Sequence, residues 1–164
     1  MRSFYSTSPA GQAFPVLILI CTLLFANNLK GTTFVVTNKN DSGPGSLRQA
    51  ILNANADLTA TPLSPHIIDI SSQTGTITML AANRFMVITN HMTIKGPGQD
   101  DLIISGNNVT RIFWIQNGMV SIQNLTLANG FALGGLNGGM GAGGAIFMHE
   151  GKNGGTGSIE LCLI

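Results

Sequence analysis

From Thr33 onward the chain alternates between short apolar and polar runs, broken at close intervals by Gly, Asn, Asp and Pro. A period of two sends successive side chains to opposite faces, so the pattern predicts half-buried strands joined by turns. The runs are Phe34–Val36, His66–Ile70, Thr76–Leu80, Met92–Lys95, Leu102–Ser105, Ile112–Ile115, Val120–Gln123, Leu125–Leu127 and Ile159–Leu161. One segment departs from this rhythm. Leu47, Ala50, Ile51 and Ala54 recur at helical spacing behind Ser46, whose hydroxyl can accept from an early unpaired N–H. A short amphipathic helix over Leu47–Asn55 is predicted, entered through the bend-forming run Asp41-Ser-Gly-Pro-Gly45.

The strands are very short, and one of their patterns recurs. Met92-Thr-Ile-Lys-Gly96 is echoed 28 residues later by Val120-Ser-Ile-Gln-Asn124, and more loosely by Ser158-Ile-Glu-Leu-Cys162. Such an offset is about one turn of a coil whose successive turns pair in parallel, Ile, Val and Leu stacking inward and Thr, Ser, Lys and Gln facing water. The fold class read from this is all-β, a right-handed parallel β-helix. An antiparallel β-sandwich is the alternative arrangement for the same runs. Asn107, Asn124 and Asn129 fall at strand ends, where Asn tolerates left-handed backbone. A solenoid needs its end covered, which gives the helix and the strand before it a task as a cap. The domain reading is a leader and linker over 1–31, a cap over 32–60 and coils over 61–164.

The leader rests on Arg2 followed, after a polar stretch, by the apolar run Phe14–Phe25, which is short for a permanent membrane span and suits a signal peptide. Cleavage after Ala26 and retention as an N-terminal anchor are both open, and either implies export to the cell surface or beyond. Composition agrees with an unusual surface: charged residues are 9%, aromatic residues 6%, and 21 glycines accompany abundant Asn and Thr. The formal charge of +1 offers no footprint for nucleic acid. Cys21 lies in the leader, so cleavage would leave Cys162 without an intrachain disulfide partner.

The run Phe34-Val-Val-Thr-Asn-Lys-Asn-Asp-Ser-Gly-Pro-Gly-Ser-Leu-Arg-Gln-Ala-Ile-Leu-Asn-Ala-Asn55 resembles the opening of bacterial secreted β-helix proteins, including relatives of the chlamydial polymorphic outer membrane proteins. Thr93–Gly98, Ile103–Asn107 and Leu125–Gly130 look like early coils of the same proteins, and Gly143-Gly-Ala-Ile146 is similar to their repeated Gly-Gly-Ala-aliphatic motif. The resemblance implies a secreted or outer-membrane surface protein with a binding or adhesion-like role toward host surface proteins or glycans. It implies no enzymatic activity.

Chemistry-bearing residues are sparse, and none is assigned as catalytic, cofactor-binding or metal-binding. Asp100-Asp101 could offer oxygens to a hard cation but reads as a turn after Gly96-Pro-Gly98. His66, His91 and His149 lack metal-ligand spacing. Lys95 and Arg111, with Asp100 and Asp101, form the one set that a polysaccharide lyase or glycoside hydrolase on this scaffold would use, which is the alternative function. Arg48 falls on the polar side of the predicted helix, a place for an ion-pairing or cap residue. The glycine-rich stretch Gly134–Gly144 has no phosphate-loop ending and reads as a loop. The sequence stops at Ile164 inside a strand pattern with no closing cap, so a truncated surface protein that self-associates through an open last coil is a further expectation, and membrane contact is expected through an uncleaved leader alone.

Overall fold

The computed structural model describes residues 30–134 and 143–148, and the backbone of 158–162. The predicted leader to residue 29, Gly135–Ala142 of the glycine-rich stretch, and His149 lie outside the described residues. In chain order come β1 (Thr33–Val35), α1 (Leu47–Ala56), β2 (His66–Asp69), β3 (Gly75–Thr78), β4 (Met86–Ile88), β5 (Met92–Lys95), β6 (Leu102–Ser105), β7 (Phe113–Ile115), β8 (Met119–Gln123), β9 (Thr126–Ala128), β10 (Ile146–Met148) and β11 (Ser158–Cys162). No described helix is long and apolar enough to cross a membrane.

From β2 onward the strands are dealt to three sheets in rotation. The first sheet has the order β1-β2-β5-β8-β11, the second β3-β6-β9 and the third β10-β7-β4. Every pairing between these strands is parallel, which removes the antiparallel sandwich and is consistent with a β-helix-like solenoid. Met92, Thr93, Ile94 and Lys95 stand beside Val120, Ser121, Ile122 and Gln123, the register read from the repeat. The looser echo is displaced by one position: Ile159, not Ser158, aligns with Val120. A slip of one residue exchanges the faces of a strand, and the paired register sets Ile159 and Leu161 in line with Val120 and Ile122.

Alternation explains which residues go inside. In the first sheet Ile68, Ile94 and Ile122 stack in one buried row while Ile67, Thr93 and Ser121 form an outer row. In the third, Met86 and Phe113 face the core in line with Ile146, and Val87, Trp114 and Phe147 line up on the other face. Each fully buried Ile is worth roughly 1.5–3 kcal/mol relative to exposure, so the stacked rows carry much of the stability. Asn107, Asn124 and Asn129 turn the chain at strand ends with φ of 55°, 55° and 52°.

Helix α1 spans the predicted segment and one residue more. The Ser46 hydroxyl accepts from the Gln49 N–H at 3.2 Å, and Leu47, Ala50, Ile51 and Ala54 are its buried face, joined to the same core as Ile68 and Ile88. It packs against β1, β2 and β4. Its polar side is as informative as its apolar one. The Asn55 amide donates to the Val87 carbonyl at 2.8 Å and accepts from the Thr89 N–H at 3.0 Å, taking the place of a neighbouring strand along the edge of β4.

Gly143-Gly-Ala-Ile146 has a local physical reason. Gly143 has a φ of 65°, and a Cβ on Gly144 would lie 2.7 Å from the Gly130 carbonyl oxygen. With that close approach allowed, the Ala145 carbonyl accepts from the N–H groups of Ile112 and Phe113 at 3.1 and 3.0 Å, and β10 begins in register with β7.

Candidate functional site

The residues singled out from the sequence go to separate tasks. Asp101 closes its own turn, its N–H donating to the Gly98 carbonyl at 3.2 Å and its carbonyl accepting from Gly75 at 2.7 Å. Lys95 stands in register beside Asp69, whose carboxyl the Ser71 hydroxyl, the Ser71 N–H and, more weakly, Lys95 hold below the usual carboxylate range. Arg111 lies instead over the Phe147 ring, its guanidinium carbon 5.0 Å from the ring centre. Asp101, Lys95 and Arg111 thus belong to a turn, to β5 and to the segment just before β7, respectively. Among the described residues no group of three or more His, Cys, Asp or Glu could hold a metal ion.

Both described histidines serve the backbone. His66 is fully buried; its Nδ1 accepts from the Thr32 N–H at 2.9 Å and its Nε2 donates to the Asp57 carbonyl at 2.8 Å, which fixes the tautomer as Nε2–H. His91 does the same on the next level, its Nδ1 accepting from Met119 N–H at 2.9 Å. Asp57 is tied in turn: the hydroxyls of Thr59 and Thr32 and the Thr59 N–H lower its pKa to about 2.

Arg48 forms the predicted ion pair, with Asp41 at 2.9 Å, and does more than pair. Its fork also donates to the carbonyls of Asp41 at 3.0 Å, Arg84 at 2.8 Å and Phe85 at 3.2 Å. Asp41 in turn accepts from Leu80 N–H and from the Asn83 amide. Burial pushes the Asp41 carboxyl up, but the bonds from Arg48, Asn83 and Leu80 outweigh it and its pKa lies below the usual range. Arg48 of α1 and Asp41 thereby grip the 80–85 turn, where Arg84 is held at φ 55° and ψ −165°, a conformation unfavourable for a side-chain-bearing residue.

That turn is one wall of a surface cleft of about 390 Å³, lined by Ala81, Arg84, Phe85, Thr110, Arg111 and Phe131 among others. Adjoining it is a smaller cavity of about 70 Å³ between Phe85, Arg111, Trp114 and Phe147. Phe85 meets Trp114 edge-on with centroids 5.2 Å apart, and Trp114 and Phe147 are tilted at 6.3 Å. The Trp114 Nε1 is buried with no hydrogen-bond partner among the described residues, an uncommon state for an indole. Sequence reading missed this cluster. Its one local signal was the alternation in Phe113-Trp114, which puts the larger ring on the face away from the core; Phe85, Phe131 and Phe147 come from three other segments.

Comparison with known proteins found no matching family model, no matching curated protein and no matching solved structure.

Proposed function

We propose that the chain is an exported, non-catalytic binding protein built as a right-handed parallel β-helix, akin to the bacterial secreted β-helix proteins its opening resembles. The observation that carries the reading is the rotation of short parallel strands among three sheets, each strand paired with the one three earlier from β5 onward. Parallel crossovers are overwhelmingly right-handed, which gives the coil its hand. A stack of this kind presents outer rows of hydroxyl, amide and ammonium groups, here Thr93 with Ser121 and Lys95 with Gln123, suited to contact rather than to bond-breaking. The apolar run Phe14–Phe25 behind Arg2 supports export, and the secreted or outer-membrane surface is the proposed location. Fractionation of a Gram-negative host expressing the full chain tests this. The protein is expected outside the cytoplasm, and deletion of 14–25 is expected to retain it inside; cytoplasmic accumulation of the intact chain would refute the reading.

A further inference from the structure

The aromatic residues of this aromatic-poor chain are unevenly placed. The described residues contain Phe34, Phe85, Phe113, Trp114, Phe131 and Phe147. Of these, Phe113 is buried in the core and Phe34 packs against it beside His66, while the other four line the cleft and its adjoining cavity. Two of the three described arginines, Arg84 and Arg111, are there as well, and no carboxylate is among the described lining residues. These rings lie outside the inward rows and pack against one another and against Arg111, forming an aromatic and cationic patch on the outer face.

We propose that this cleft is a saccharide-binding site selective for acidic sugar units, such as uronic acids. The proposal deepens the exported-binding reading and rests on it for its biological setting. Aromatic rings offer flat apolar surfaces to the C–H faces of a pyranose, and a guanidinium offers a planar fork matched to a carboxylate. The cleft volume is that of a small-ligand site. Arg84, which is exposed, is the anion partner; Arg111 is already engaged with Phe147 and shapes the platform. The backbone of Arg84 supplies an independent argument. A φ of 55° with ψ of −165° is easiest for glycine, so an arginine there is held against local preference, with Arg48 gripping its carbonyl. Strained backbone of this kind clusters at ligand sites, which agrees with the place of Arg84 on the cleft wall.

Trp114 is the single tryptophan of the chain, so its emission reports this site alone. The purified full chain is titrated with trigalacturonate, with maltotriose as the neutral match and hexaglutamate as the acidic peptide match. Trigalacturonate is expected to change Trp114 emission saturably, with an affinity at least tenfold above that of either control and falling as salt rises. Arg84→Gln is expected to lower the affinity at least tenfold with the circular dichroism unchanged. Arg84→Gly is expected to raise Tm while abolishing the response, a combination that a purely structural arginine does not give. No response to trigalacturonate, an equal response to maltotriose or hexaglutamate, or full binding by both Arg84 variants overturns the proposal. Export with no saccharide response rejects the site alone; binding by a chain that stays cytoplasmic rejects the export reading alone.

Discussion

At Asp57 three donors meet one carboxylate, the hydroxyls of Thr59 and Thr32 and the Thr59 N–H, while its carbonyl accepts from His66 and from the Asn90 amide at 2.7 Å. The folded pKa of about 2 lies below the unfolded value, near 3.9. A carboxyl depressed in this way contributes stability that is complete above the unfolded value and is lost as pH falls toward the folded one. Asp41 and Asp69 are lowered too and act in the same direction. Thermal melts between pH 5 and pH 2 should therefore show Tm falling below about pH 4, and less steeply in Asp57→Asn; parallel slopes for the two proteins would contradict the assignment. The Thr32 bond was not legible in the sequence, because Thr32 and Asp57 meet only once β1 and β2 pair; the two Thr59 bonds are local, two residues along the chain, and were not read. The helix cap at Ser46, by contrast, was fully legible, since both partners lie within one turn.

Among the elements, α1 and β5 could be read from periodicity because each carries its own pattern over enough residues. β4 was not read: Met86-Val87-Ile88 has no polar position to mark an outward face, and Arg84-Phe85 and Thr89-Asn90 flank it without an obvious turn. Nor was the Gly-Gly-Ala-Ile motif readable as the entry to a strand, because its reason is the backbone of Gly130. The edge of β4 yields a prediction at this scale. Asn55→Leu keeps the branched shape of the side chain and raises helix propensity, but leaves the Val87 carbonyl and the Thr89 N–H without their partner. The expected loss is about 0.5–1.5 kcal/mol, the net worth of a hydrogen bond at a half-exposed edge. Urea unfolding of the variant measures it, and a loss below about 0.5 kcal/mol would show that solvent replaces the amide there.

For the molecule as a whole, the rotation of strands makes each buried row continuous across levels. Ile94 lies between Ile68 and Ile122, fully buried in the middle strand of the first sheet. Ile94→Ala should cost about 2–5 kcal/mol, in the range for emptied core positions, whereas Thr93→Ala in the outer row should change stability by less than about 0.5 kcal/mol. Equal effects, measured by chemical denaturation, would mean that the two faces are assigned the wrong way round. The same architecture gives α1 a second consequence. Arg48 belongs to α1 yet holds the carbonyls of Arg84 and Phe85, so the seating of the helix bears on one wall of the cleft. Thermodynamic linkage is reciprocal: under the proposal above, a saccharide held at Arg84 would steady α1 against the 80–85 turn, and loosening α1 would weaken the hold on that saccharide.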